Sequence, residues 1–333
     1  MWIELGVVAI LIVAILLVWS YISFRGWKRN LQMILESNSS IANTDVGPIE
    51  YTLVGQGPVV IAVHGSPGGY DQGVFALRDW IHEGYSVLAL SRPGYLKTPL
   101  SSGESFEHQA DAVKALMETL QIKNAAIIGS SAGGPVALAF ALRHPDFIWA
   151  LGLICAVTLP YQAEKNWLNN VVGRLFVSKT LLDVGVWLFD VLTRYRTAYS
   201  LKRMFKENST LESNQVSERV KQTMQNSEQI AWYKDFIRTA CPLSLRKEGL
   251  EHDMEILRHV DFPDLSGVKS PTLILHGKVD RVVPFSHAEH AASMIPNVKL
   301  VGFEKVGHVI WMGDHRKLME QEISEFFQKN RPE

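Results

Sequence analysis

The chain opens on an unbroken apolar stretch, LGVVAILIVAILLVWSYISF from Leu5 to Phe24, which carries no charged side chain. As a helix rising about 1.5 Å per residue it spans about 30 Å, the depth of a bilayer's hydrocarbon, and so predicts a membrane-crossing helix. A cleaved signal peptide calls for a basic leader and a small-residue cleavage site. Here Glu4 precedes the run and Trp19, Tyr21 and Phe24 close it. Arg25, Lys28 and Arg29 follow, which puts the rest of the chain on the cytoplasmic side by the positive-inside rule, with Trp2 at one interface and Trp19, Tyr21 and Trp27 at the other. Residues 1–28 are expected as anchor and flank. The polar stretch 29–48, which contains ESNSSIANTDVGP, is expected as a linker.

Beyond it, short apolar runs recur at Glu50–Val54, Val59–Val63, Ser86–Leu90, Ala125–Gly129, Leu151–Cys155, Thr272–His276 and Val298–Phe303. Helical patterns lie between several of them. In FEHQADAVKALMETLQI, Phe106, Ala110, Val113, Met117 and Leu120 fall on one helical stripe. Runs apolar throughout their length, alternating with such helices, predict a mostly parallel α/β sheet covered on both faces. From about Tyr161 to Pro263 the alternation stops and helix-like patterns hold no convincing strand, so this interval reads as an insertion. It contains an unusually apolar stretch with Trp167, Leu168, Val171, Val172, Leu175, Phe176, Leu181, Leu182, Val186, Trp187, Leu188 and Phe189, and then a basic one with Arg194, Arg196, Lys202, Arg203 and Lys206. The basic stretch suits either contact with anionic lipid or a solvated helix face.

Composition adds limits. With 333 residues, 47% of them hydrophobic, a large core is available, and a net charge of −1 excludes a general nucleic-acid binder. The two cysteines, Cys155 and Cys241, lack the spacing of a disulfide framework or a zinc knuckle and are expected as buried free thiols. His287 and His290 in HAEH have no third ligand at matching spacing and are expected to be solvated. No metal and no cofactor are expected.

The chemistry begins at IIGSSAGGPVALAF, where a β-branched run gives way to alanines. Gly129-Ser130-Ser131-Ala132-Gly133 fits G-x-S-x-G, with Ser131 at the apex of a sharp strand-to-helix turn and Ser130 as spacer. A serine hydroxyl needs a base to take its proton and a third group to hold that base. Asp280, in LILHGKVDRVVP, and His308, in FEKVGHVIW, each stand just past a strand, in the chain order Ser, Asp, His. The tetrahedral intermediate also needs preorganised N–H groups, and VVIAVHGSPGGY supplies a loop for them.

Taken together, His64-Gly65-Ser66-Pro67-Gly68, the Gly129–Gly133 elbow, HGKVD and the GH at 307–308 resemble the α/β-hydrolase superfamily from about residue 49 to 330. The resemblance implies a hydrolase core over 49–160 and 264–333, with a helical cap over 161–263 above the nucleophile. It implies Ser131, Asp280 and His308 as catalytic residues, and the backbone N–H groups of Ser66 and Ala132 as the oxyanion hole. His64 is then a structural residue of the oxyanion loop, and Arg92, in SRPGYLKTP, a support for neighbouring loops. Epoxide hydrolases and haloalkane dehalogenases of this fold carry Asp at the elbow, so Ser131 argues against both. The expected activity is a membrane-anchored serine esterase of the monoacylglycerol lipase type, acting on a small ester or lipid without a nucleic-acid partner. Proline iminopeptidases, carbon–carbon bond hydrolases, perhydrolases and a non-catalytic binding protein on the same fold remain as alternatives.

Overall fold

The computed structural model of the protein describes residues 2–161 and 178–332. Eight strands form one sheet: β1 (Ser40–Thr44), β2 (Gly47–Gly55), β3 (Val59–Val63), β4 (Ser86–Leu90), β5 (Ala125–Ser130), β6 (Ile148–Ile154), β7 (Thr272–Gly277) and β8 (Val298–Phe303). Their spatial order is β1-β2-β4-β3-β5-β6-β7-β8, with β2 antiparallel to both its neighbours, β1 and β4, and the other neighbouring pairs parallel. The central strands are mostly apolar because both faces are covered: every residue of β4 and β7 is buried. One face packs on α3 (Phe106–Thr119) and α4 (Gly134–Arg143), through Ala110, Val113, Met117, Val136 and Phe140. The other packs on α2 (Tyr70–His82), through Leu77 and Trp80, and on Ile323 and Phe327 near the C-terminus.

The stretch 29–48 is not a linker. Helix α1 (Trp2–Ser37) runs without a break through the apolar segment and on into this stretch, and β1 follows almost at once. The helix continues because it has something to pack on. Leu35 is buried, and the Tyr70 hydroxyl donates to its carbonyl at 2.7 Å. Its end is closed by Asn38 Nδ2, which donates to the Ile34 carbonyl, and by Ser39 Oγ, which donates to that of Leu35. Strand β1 reads as polar because it is an edge strand in which Ala42 alone is buried. Among the described residues α1 is a helix long and apolar enough to cross a membrane, with mean hydropathy 2.8 and none of its apolar window buried against the rest of the chain.

Between β6 and β7 the described residues form five α-helices: α5 (Lys179–Tyr195), α6 (Thr197–Asn208), α7 (Ser213–Met224), α8 (Ser227–Arg238) and α9 (Lys247–Ile256). A small cluster of Leu201, Met204, Phe205, Val216, Trp232 and Tyr233 gives them a core of their own. Of the unusually apolar stretch expected in the cap, Trp167, Leu168, Val171, Val172, Leu175 and Phe176 lie outside the described residues. After β7 the chain adds α10 (Ser286–Met294), and after β8 it adds α11 (Arg316–Asn330), which carries Ile323 and Phe327.

Candidate active site

The carboxyl ends of the parallel strands all point to one edge of the sheet, and the loops that leave them carry the site. β5 ends at Ser130, and one 3₁₀ turn, Ser131–Gly133, joins it to α4. Ser131 has φ +51°, a left-handed conformation costing about 1–2 kcal/mol for a residue with a side chain. The turn is possible because its neighbours lack Cβ atoms. A Cβ on Gly129 would stand 2.6 Å from that of Ala137, and one on Gly133 would stand 2.4 Å from the Val63 carbonyl oxygen. The Val157 N–H, donating to the Ser131 carbonyl at 3.0 Å, holds the turn from the loop after β6.

Ser131 Oγ lies 3.0 Å from His308 Nε2, and His308 Nδ1 lies 2.7 Å from Asp280 Oδ2. Asp280 Oδ1 accepts the N–H groups of Val282 and Val283 at 2.8 and 2.9 Å. These bonds leave His308 donating from Nδ1 and accepting the serine proton at Nε2. Burial works to raise the Asp280 pKa, but the neighbouring His308 and the hydrogen bond from His276 outweigh it and hold the carboxyl well below its usual range. The Cys155 thiol beside it is pushed far up, by burial first and then by the Asp280 carboxylate, so it stays protonated. Cys155, His276 and Asp280 bring ligand-type atoms within 4.8 Å of one another. His276 Nε2 lies 2.8 Å from the Val283 carbonyl oxygen and 3.4 Å from Asp280 Oδ2, while its Nδ1 is buried without a hydrogen-bond partner.

The oxyanion loop is held from behind. His64 is buried, with Nδ1 donating to the Gly65 carbonyl and Nε2 accepting the Arg92 N–H at 3.0 Å. Burial, and then the nearby Arg92 charge, keep its pKa well below the ordinary value. Arg92 also donates from Nε to the His64 carbonyl and forms a bidentate pair with Asp253 of α9. The Tyr95 hydroxyl joins Asp253 at 2.5 Å and Ser66 Oγ at 2.6 Å. Tyr95 and Asp253 escaped the reading of the sequence because nothing local marks a contact across 158 positions. A second unforeseen element is the turn after α6. Its Asn208 carbonyl accepts the N–H groups of His308 at 2.9 Å and Arg281 at 3.4 Å, and Ser209 bridges to Asp280. The cap's own backbone thus grips both loops that bear the acid and the base.

Ser131, Ala132, Ser66 and His308 open together into a cavity of about 1110 Å³. Its walls are largely apolar, with Phe75, Phe189, Trp232, Phe236, Leu257 and Val309 among them, and Arg203, Lys206 and Glu207 also line it. Of the basic stretch, Arg194 pairs with Asp190 and Arg203 with Glu207. His287 is buried rather than solvated, since its Nδ1 accepts the N–H groups of Thr158 and Leu159 at 3.0 and 3.2 Å. Both cysteines are free and buried.

A family model described as alpha/beta hydrolase fold matches residues 58–314, and the chain belongs to that family. An uncharacterised hydrolase, YcgS of Bacillus subtilis (strain 168), is 29% identical over 272 residues, 81% of this chain and 91% of that one. A 2-hydroxy-6-oxononadienedioate/2-hydroxy-6-oxononatrienedioate hydrolase of Comamonas testosteroni is 26% identical over 76% of this chain and 82% of its own. Among solved structures, an alpha/beta hydrolase fold protein from Nakamurella multipartita superposes with a TM-score of 0.76 at 26% identity, covering 86% of this chain and 98% of that one.

Imidazoles withdrawn from water, His64 and His287 buried and His315 half-buried, weaken the native state in mild acid. Burial lowers both His287 and His315 from 6.5 to about 4. A folded pKa below the unfolded one gives stability that is fully present above about 6.5 and is lost as pH falls through the window toward 4, because the unfolded chain takes up protons first. The melting temperature should therefore fall between pH 7 and about pH 5, before most carboxylates titrate. In His287→Gln the same scan should be shallower. Parallel slopes for the two proteins would overturn this account.

The link between cap and oxyanion loop is testable at its shared acid. Asp253→Asn removes the charge opposite the fully buried Arg92 and should lower stability by about 3–5 kcal/mol in denaturant unfolding. An effect below about 1 kcal/mol, the range of a surface pair, would show that the pair is not desolvated.

Proposed function

We propose that the protein is a membrane-anchored serine hydrolase that cleaves carboxylic esters with apolar acyl chains through an acyl-enzyme. One observation carries the reading: the Ser131–His308–Asp280 relay, at 3.0 and 2.7 Å, opens into a largely apolar cavity. Ser131 Oγ attacks the ester carbonyl as its proton passes to His308 Nε2. The backbone N–H groups of Ser66 and Ala132 receive the oxyanion, and the latter gains from its place at the head of α4. His308 returns the proton to the leaving alkoxide and the alcohol departs. Water, deprotonated by the same nitrogen, then attacks the acyl carbonyl, and the acid leaves with Ser131 restored. Asp280 stays ionised throughout and keeps Nδ1–H of His308 in place. Each step draws on groups of the chain and on water.

The anchor is the apolar part of α1, Leu5–Phe24, whose length suits a bilayer. Arg25 and Arg29, which follow it in the same helix, support a catalytic domain on the cytoplasmic side. A lipid-derived ester such as a monoacylglycerol is the substrate class that joins such an anchor to such a cavity. A second reading, hydrolysis of a carbon–carbon bond beside a carbonyl, draws on the named activity of the Comamonas testosteroni relative. The same relay would serve it, so the substrate decides between them.

Ser131→Ala and His308→Ala should each lower kcat by about 10⁴-fold or more, whereas Ser130→Ala should stay within about threefold of wild type, because the three relay members act as a unit. A fluorophosphonate probe should label the wild type and not Ser131→Ala. Labelling that survives this substitution and is lost in Ser130→Ala would move the nucleophile one residue back.

On a p-nitrophenyl ester series, kcat/KM should rise with acyl length, by about 0.8 kcal/mol for each methylene buried, until the cavity is filled. Decanoate should exceed acetate by at least about tenfold. A flat series, or turnover of a ring-cleavage dienoate well above that of every ester, would favour the carbon–carbon reading.

A further inference from the structure

Helix α5 turns three different faces to three neighbours. At about 100° per residue, Asp183, Trp187 and Asp190 share one face, and that face meets α1. Lys28 Nζ lies 2.7 Å from Asp183 Oδ2, Trp27 Nε1 donates to Asp190 Oδ2 at 2.8 Å, and the Phe24 ring sits edge-on to Trp187 with centroids 5.8 Å apart. Both carboxylates are out of water, Asp183 at 0% exposure and Asp190 at 1%. About 120° round the helix from these residues, Phe189 forms part of the cavity wall. The third face, with Leu181 and Leu188, is exposed.

A buried carboxylate that loses its cation leaves an uncompensated charge, whereas removing both partners does not. Lys28 is therefore more than one of three basic residues flanking an apolar run. Its partner Asp183 also accepts the Ser244 N–H at 2.8 Å and the Ser244 hydroxyl at 2.6 Å, and so pins the turn that enters α9. Asp190 has Arg194 and Arg238 as further partners, so Trp27 adds direction there rather than neutralisation.

We propose that Trp27 and Lys28 are positioning residues of the cap: they seat α5 and with it the Phe189 wall, so that the N-terminal helix sets the enzyme's preference for long acyl chains as well as its attachment. This rests on the ester reading above for its substrate, but not for the clamp itself. A chain cut back to Gln32 would lose every one of these contacts, whereas one beginning at Tyr21 would keep them.

The test uses the full chain reconstituted in lipid nanodiscs, in wild type, Lys28→Met, Lys28→Arg, Asp183→Asn, Trp27→Phe and the double variant Lys28→Met/Asp183→Asn. Hydrogen exchange over residues 178–195 reads the seat of α5. In Lys28→Met those amides should exchange about tenfold faster, Lys28→Arg should stay close to wild type, and the double variant should recover part of the loss. Trp27→Phe should show a smaller increase of the same kind. In parallel, KM for p-nitrophenyl decanoate should rise about tenfold in Lys28→Met, while kcat on the acetate ester stays within about twofold. Unchanged α5 exchange in Lys28→Met would overturn the proposal, as would equal losses on decanoate and acetate. If the wild type cleaves neither ester, the ester reading fails, and the exchange data alone uphold or overturn the clamp.

Discussion

A carboxylate taken out of water must find its donors in the protein, and the Asp280 carboxylate finds them in backbone and imidazole rather than in a guanidinium or an ammonium. Two N–H groups of its own loop saturate one oxygen and His308 takes the other. An adjacent Arg or Lys would satisfy the charge, but it would also compete with the positive charge His308 acquires in the transition state. Neutral donors keep Asp280 ionised and leave its field directed at one imidazole. Everything that fixes the Asp280 loop therefore fixes the base, and through the base the hydroxyl of Ser131. The requirement reaches β7, β8 and the Asn208 turn of the cap, three segments distant in sequence that meet at one sheet edge.

For this reason the cap is part of the candidate site and not a cover laid on it. Asn208 holds the His308 and Arg281 loops by their N–H groups, while Asp253 holds Arg92 and Tyr95 behind the oxyanion loop. Arg246, fully buried, reaches Asp71 of α2 at 3.0 and 2.8 Å and adds a third tie. Buried ion pairs of this kind contribute little net stability, since desolvation offsets most of the attraction. What they impose is position, because a bidentate guanidinium–carboxylate pair tolerates little rotation.

The relay was legible in the sequence because local chemistry marks each part. A nucleophile turn demands small neighbours, and each partner follows an apolar strand, as Asp280 does after LILHG. The buried strands were legible for a related reason: covered on both faces, they are apolar through most of their length. Segments whose environment is set from a distance were not legible. β1 is an edge strand with one buried side chain and is indistinguishable by composition from a linker. His287 is a polar residue in a polar-looking helix, and only the loop after β6, folded over it, makes it an internal acceptor. Lys28 and Trp27 look like the usual flank of an apolar helix, and their aspartates lie some 150 residues away in an amphipathic helix where acids are unremarkable.

The continuity of α1 is the feature with the widest mechanical consequence. A flexible linker would let the domain sample many orientations about its attachment, with the mouth of the cavity meeting any face of its surroundings. A helix unbroken from Trp2 to Ser37 permits no such freedom. It enters the domain at Leu35 under Tyr70, and it meets the cap at Phe24, Trp27 and Lys28 on the way. Two points of attachment on one rigid rod determine the direction of that rod relative to the sheet, and hence the direction in which the cavity opens. If the apolar part of the rod lies in a bilayer, the angle between catalytic cavity and lipid surface is set by helix geometry and by two buried aspartates.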